Sequence, residues 1–378
     1  MSIEELTAIS RYYGSNPDYV IAGGGNTSFK DQSALYIKGS GIALADCTPE
    51  SFVRMDRQVL QRIWAKTYPA SSDEREDEVL ADMMAARKPG EERKRPSVET
   101  LLHDILPFAW VVHTHPAQVN GLTCSQRGET ETKELFAGEA VWIPAVNPGY
   151  ILSQKVKQAM DAYRAARGRP PAIIFLQNHG VFVSSDSPAG IQELYRYIME
   201  KLASKINRQP DVSGGLSRWG ISGELIPVLA DSTGDGSGKA VFLRNREIAA
   251  LVKDRASFYP VSSAFTPDHI VYAGSDPLFI ETDSDNFETA ISDIRRLWKI
   301  HAGRAGRIPK IAAVQSMGVF GIGSSDKAAA LALELFTDAV KVAVYTESFG
   351  GPRFMPQDQI DFINNWEVER YRSGISAG

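Results

Sequence analysis

The feature that most constrains this 378-residue chain is an internal repeat. Gly168-Arg169-Pro170-Pro171-Ala172-Ile173, continuing to Gln177-Asn178-His179-Gly180-Val181-Phe182, aligns without a gap onto Gly306-Arg307-Ile308-Pro309-Lys310-Ile311, continuing to Gln315-Ser316-Met317-Gly318-Val319-Phe320. Glycine, proline and apolar strand positions persist across the two copies, as expected of a duplicated structural unit. Met317 stands where the first copy has His179. Pro267–Ser275 can likewise be laid on Pro107–His115, with Ala273 and Ser275 in the places of His113 and His115. The second unit therefore reads as a degenerate copy that has lost its chemistry-bearing side chains. Two domains also follow from length, since single cores rarely grow beyond roughly 250 residues. The expected division is a first unit over 1–208, a Gly/Ser-rich linker over 209–240, and a second unit over 241–378 that ends in a helical tail.

Within the first unit, helical and strand patterns alternate. An amphipathic stretch runs from Ile3 to Tyr13, a strand from Ala34 to Lys38 and a helix from about Arg57 to Lys66. The mixed charges from Ser71 to Arg95 suit a solvated helix and loop. Ser97 can cap a short helix reaching Leu106, with Glu99 in its first turn. Ala109–Val112 then reads as a buried strand that delivers His113 and His115, and Ala172–Leu176 as another that delivers His179. Such alternation predicts an α/β fold, a layered domain with a central sheet flanked by helices.

Composition excludes several functions. A net charge of −5 leaves no basic footprint for a phosphate backbone, so nucleic acid is not an expected partner. The N-terminus is acidic and polar, and no apolar run approaches the roughly 20 residues that span a bilayer, so no membrane association is expected and the chain reads as cytoplasmic. Cys47 and Cys124 lack the spacing of a disulfide framework or a thiolate zinc site and are expected to be bland thiols. The segment Gly234–Ala240 superficially looks like a nucleotide phosphate loop. Its glycine spacing is one residue short, and Ala240 stands where a Ser or Thr must hold magnesium.

Residues two apart on a strand project from one face, so His113 and His115 can share an ion, and His179 is the candidate third ligand among six histidines. Three neutral imidazoles with an open position are the arrangement of a catalytic zinc. Spacing alone leaves open that these are strand-end histidines satisfied by backbone hydrogen bonds. Ala22-Gly23-Gly24-Gly25-Asn26-Thr27-Ser28 offers a backbone able to converge N–H groups on an anion, although a plain glycine turn fits the same residues. Gly39-Ser40-Gly41 and a helix start at Ser97 could add anion contacts. Glu99 alone reads equally well as an ordinary carboxylate at a helix N-terminus.

In order and spacing, Gly25-Asn26-Thr27-Ser28, Lys38-Gly39-Ser40-Gly41, Thr48-Pro49-Glu50, Pro96-Ser97-Val98-Glu99-Thr100-Leu101-Leu102-His103, Val111-Val112-His113-Thr114-His115-Pro116 and Asn178-His179-Gly180-Val181 resemble the class II aldolase/adducin family. The match covers about residues 1–205. The remainder, with Gly350-Gly351-Pro352, Asp361-Phe362 and Trp366, is similar to the aldolase portion of bifunctional rhamnulose-1-phosphate aldolase/short-chain dehydrogenase proteins, without the dehydrogenase half. The resemblance implies a zinc-dependent carbon–carbon lyase that cleaves a ketose 1-phosphate, rhamnulose- or fuculose-1-phosphate-like, to dihydroxyacetone phosphate and a small aldehyde through a metal-stabilised enediolate. It implies His113, His115 and His179 as ligands to Zn2+ or a similar divalent metal and Glu99 as the acid/base. Gly25, Asn26, Ser40, Gly41 and Ser97 would surround the phosphate of a small phosphorylated sugar, in a homo-oligomer. The second unit would be a degenerate aldolase-like domain.

Two departures stand out. Fuculose-phosphate aldolases draw a tyrosine proton donor from the stretch after the histidine pair, and no tyrosine lies between Trp110 and Tyr150 here. Val98 also stands where many relatives carry a second serine. The alternative readings are a phosphosugar epimerase or decarboxylase on the same scaffold, or a non-catalytic adducin-like binding module.

Overall fold

The computed structural model describes residues 2–214, 222–231, 238–282, 287–305 and 307–366. Residues 215–221 and 232–237 of the expected linker, including most of the phosphate-loop look-alike, and residues 367–378 of the expected tail lie outside them. The chain divides into two compact units, one built on Met1–Thr123 and Arg127–Lys205, the other on Cys124–Gln126 and Ile206–Asn365. Each is an α/β unit with a central sheet and flanking helices. Among the described residues no helix is long and apolar enough to cross a membrane.

The first unit opens with the helix Ile3–Gly14, started by a capping box in which Ser2 and Glu5 satisfy each other's backbone N–H. Seven strands follow: β1 (Asn26–Lys30), β2 (Ala34–Lys38), β3 (Phe52–Asp56), β4 (Trp110–Thr114), β5 (Ala140–Ile143), β6 (Ile173–Leu176) and β7 (Gly180–Ser185). They form one sheet in the order β3-β2-β1-β4-β7-β6-β5, antiparallel except for the parallel β5–β6 pair, whose crossover is the helix Tyr150–Arg167. One face of the sheet buries Val111, Ile174, Leu176 and Phe182 against Leu102, Leu106, Leu152 and Val156 of the helices. The other end packs Leu35, Ile37, Val53 and Met55 against Leu60, Val79, Met83 and Leu101. At about 1.5–3 kcal/mol for each large side chain fully buried, these two clusters hold the layers together.

The second unit carries β8 (Lys239–Leu243), β9 (Leu278–Ile280), β10 (Ile311–Val314) and β11 (Gly318–Gly323) in the order β8-β11-β10-β9. It repeats the β4-β7-β6-β5 half of the first sheet, including a parallel outer pair, β9 with β10. The backbone details coincide. Asn178 and Ser316, in the turns before β7 and β11, both adopt left-handed conformations, at φ 57° and 58°. Gln177 N–H bonds Ile143 O at 2.9 Å and Gln315 N–H bonds Ile280 O at 3.0 Å, while Ser187 and Ser325 each cap the next long helix.

One part of the sequence alignment is wrong. Residues 267–275 form no strand; His269–Ala273 is a buried π-helical segment. The partner of β11 is β8, with Phe242 opposite Phe320, as His113 of β4 is opposite Phe182 of β7. The counterparts of His113, His115 and His179 are therefore Phe242, Arg244 and Met317, not Ala273, Ser275 and Met317. The strand-like pattern of Ile270–Ala273 was misleading because a continuous apolar run suits a buried helix as well as a buried strand.

Candidate metal centre

β1, β4 and β7 meet where three histidines converge. His113 lies in β4 opposite Asn26 of β1, and is fully buried. Its ring stacks on Phe182 with centroids 4.0 Å apart and planes at 12°. Its Nδ1 lies 2.9 Å from Val181 O. A carbonyl only accepts, so Nδ1 carries the proton and, in the neutral ring, Nε2 presents a lone pair, the arrangement in which a ligating imidazole is oriented by its own backbone contact. His115, one residue beyond β4, brings its Nε2 to 2.9 Å from His113 Nε2. His179 sits in the β6–β7 turn and brings its Nε2 to 3.4 Å. Left-handed Asn178, with its N–H on Thr123 O at 3.1 Å, aims that turn back at β4.

Gly180 permits the approach. A Cβ there would lie 2.5 Å from Thr114 O and 2.7 Å from His115 Cδ2. Gly25, at φ 64°, does the same on the other side, where a Cβ would lie 2.7 Å from His113 O.

Glu99 completes the cluster. It is only 6% exposed. Its Oε2 accepts from Asn26 Nδ2 at 2.6 Å, whereas Oε1 is buried with no hydrogen-bond partner, 3.5 Å from His113 Nε2 and 3.8 Å from His179 Nε2. A buried carboxylate oxygen beside imidazole lone pairs is costly unless a cation lies among them. The ligand atoms of His113, His115 and His179 lie within 4.8 Å of one another. This donor set fits a divalent metal ion; three imidazoles with one adjacent carboxylate suit a borderline ion such as zinc.

The helix at Glu99 departs from expectation. It runs from Thr100 to Ile105, with Glu99 at the N-cap position instead of in the first turn, and Ser97 lies before the helix. Ser97 Oγ accepts the Glu99 N–H at 3.3 Å and an Asn26 Nδ2 hydrogen at 3.1 Å. Ser97 thus belongs to the Asn26–Glu99 network and stands two residues before the N-cap position. Gly39 bridges Pro96, and the Ser40 N–H is committed to Arg95 O at 2.8 Å. The Ser40–Gly41 corner, with Gly41 at φ 82°, is thereby fastened to the segment that leads into Ser97.

His103 lies behind Asn26. In the sequence it stands at the end of the Pro96–His103 run, with no role assigned to it. It is fully buried, with Nε2 on Asn26 Oδ1 and Nδ1 on Ser28 Oγ at 2.7 Å. Burial, then neighbouring Lys30, His113 and Lys38, push its pKa well below the ordinary histidine value. Lys30 Nζ donates to His103 O at 2.7 Å, and burial lowers its pKa to about 7. The one signal for His103 was its i+4 spacing from Glu99.

In the second unit the corresponding place holds an internal cation. Arg244 Nη1 donates to Ser316 O at 2.9 Å and also to Met317 O. Met317 is 1% exposed within an apolar cluster with Phe320, Val314 and Trp298. No group of metal-ligating side chains other than His113, His115 and His179 occurs among the described residues.

Residues 4–200 match the family described as Class II Aldolase and Adducin N-terminal domain. Among curated proteins, the chain is 22% identical over 418 aligned residues to Uncharacterized oxidoreductase YuxG of Bacillus subtilis (strain 168). That match takes in 98% of this chain and 58% of the relative, so the chain spans under two thirds of its length. Similar solved structures include the N-terminal class II aldolase domain of a conserved protein from Thermoplasma acidophilum, 25% identical with a TM-score of 0.46, covering 55% of this chain and 94% of that one. Another is L-fuculose-1-phosphate aldolase from Thermus thermophilus, 18% identical with a TM-score of 0.33, covering 53% and 91%. With more than half of its 378 residues matched to the family, this chain belongs to the class II aldolase and adducin family.

Proposed function

We propose that this protein is a zinc-dependent class II aldolase that cleaves a ketose 1-phosphate of the rhamnulose- or fuculose-1-phosphate type to dihydroxyacetone phosphate and a small aldehyde. The observation that carries the reading is Glu99 Oε1, buried and without a hydrogen-bond partner beside the Nε2 atoms of His113 and His179. His113, His115 and His179 would hold the metal, which when bound supplies Lewis-acid stabilisation of charge developing on substrate oxygens. Glu99, held at Oε2 by Asn26, has its other oxygen available to take and return the proton on the carbon beside the substrate carbonyl.

The substrate phosphate would lie among Gly25, Asn26, Ser40, Gly41 and Ser97. Because the Asn26 carboxamide is taken up by Glu99 and Ser97, its part there would be to align the Ser97 hydroxyl. No lysine Schiff base enters this chemistry. The reading places the enzyme in the cytoplasm as a homo-oligomer; the buried free thiols of Cys47 and Cys124 agree with a reducing compartment.

The test is metal analysis of the purified protein, followed by a screen of ketose 1-phosphates for release of dihydroxyacetone phosphate with and without chelator. Release that is lost on chelation and restored by zinc is expected. A metal-loaded protein that releases no aldehyde, and exchanges no carbon-bound proton of dihydroxyacetone phosphate with solvent, would overturn the assignment.

A further inference from the structure

The hydrogen bonds around Asn26 leave no freedom in where their protons lie. As a carboxylate, Glu99 accepts at Oε2, so the Asn26 NH2 group faces it, at 2.6 Å. Asn26 Oδ1 consequently faces His103 Nε2, which must donate. With His103 neutral, its Nδ1 is then the acceptor, and the Ser28 hydroxyl donates to it at 2.7 Å. All four side chains are nine-tenths buried or more, so no solvent substitutes for a missing partner. Asn26 and Glu99 are 73 residues apart and Asn26 and His103 are 77 apart, joined only because β1 pairs with β4 above the helix Thr100–Ile105.

We infer that His103 is a positioning residue: its Nε2–H turns the Asn26 carboxamide so that Nδ2 holds one oxygen of Glu99 and leaves the other aimed at the histidine cluster. The catalytic sense of this inference rests on the aldolase reading above; the proton arrangement does not. Without a donor at Nε2, Asn26 Oδ1 is left buried and unpaired, and the carboxamide that fixes the Glu99 rotamer loses its own anchor. His103 touches no reacting atom.

Two measurements on the full chain test it. In the first, nitrogen NMR of 15N-histidine-labelled protein reads the tautomer of His103, whose signals are identified by their loss in His103→Gln. Protonation at Nε2 alone is expected, and protonation at Nδ1 alone overturns the inference. In the second, zinc-loaded variants are compared for exchange of the carbon-bound proton of dihydroxyacetone phosphate in D2O. His103→Leu should slow exchange about 10–100-fold with zinc content unchanged, as a misplaced proton-transfer group does, while His103→Gln, which restores a donor at the Nε2 position, should stay within about threefold. Glu99→Gln/His103→Leu should be no slower than Glu99→Gln alone, because His103 acts through Glu99. Additive losses, or Gln as poor as Leu, would show a merely structural role and overturn the inference. If the wild type exchanges no proton, the aldolase reading falls alone, and the tautomer still decides where His103 places its hydrogen.

Discussion

Replacing Gly180 by alanine separates the metal site from the rest of the fold. Gly180 lies outside the left-handed region, so alanine meets no backbone penalty there and acts only through its Cβ. That atom would lie 2.5 Å from Thr114 O, 2.7 Å from His115 Cδ2 and 3.4 Å from His113 Cε1. Ordinary contacts are about 3.5 Å, so Thr114 and the His115 ring must each retreat by roughly 0.8–1 Å. Thr114 is pinned opposite Val181 in the sheet, and its hydroxyl lies 2.7 Å from the Tyr195 hydroxyl. The Thr114 O contact therefore forces a small shift between β4 and β7, and the partly exposed His115 ring yields beside it.

Overpacking of this kind costs about 1–3 kcal/mol, or roughly 2–10 °C in melting temperature for a unit of this size. Displacing one ligand ring should weaken zinc binding about 10–100-fold, as losing an orienting partner does. At saturating zinc, a hundredfold loss removes about 2.7 kcal/mol of metal-linked stabilisation. The assay is competition for zinc against a chromophoric chelator, alongside melting with and without the metal. Gly318→Ala is the control: its Cβ would meet Phe242 Cε2 at 2.6 Å and Leu243 O at 2.9 Å, so it should lower stability and leave zinc affinity unchanged. Wild-type zinc affinity in Gly180→Ala, or equal losses in both variants, would show that the Cβ does not act through the ligand ring.

Other outcomes follow from the same geometry. Glu99→Gln should keep its zinc while turnover falls about a hundredfold or more, measured by metal analysis and cleavage rate; loss of zinc would make Glu99 a ligand instead of an acid/base. Metal analysis should find about one divalent ion per chain, unchanged in Met317→Ala, because Arg244 already supplies a cation in the second unit. Lys30 has a folded pKa of about 7, below its unfolded value, so the folded state binds fewer protons between the two values and this contribution to stability rises with pH from about 7 towards 10.5. Urea unfolding from pH 7 to pH 9.5 should show this slope in the wild type and a flatter one in Lys30→Met.

Much was legible in sequence. The strand Ala34–Lys38 has the bounds read from sequence, and the helix predicted from Ile3 to Tyr13 runs from Ile3 to Gly14. His113 and His115 meet because a strand has a period of two, a local property. Asn178 and Ser316 occupy equivalent left-handed turns, as the gapless repeat implies. The start of the helix at Glu99 was less legible, since a Ser two residues upstream of the N-cap mimics a cap when only spacing is read.

The repeat, the donor types and the local geometry of each strand end could be read along the chain, because these depend on residues a few positions apart. The partners could not. Local pattern reports which face of a strand is buried, not which distant strand lies beside it, so only the sheet could show that Phe242 and Arg244 take the places of His113 and His115. For the same reason Asn26, His103 and Glu99 were separate motif residues until the β1–β4 pairing closed more than 70 residues of chain around them.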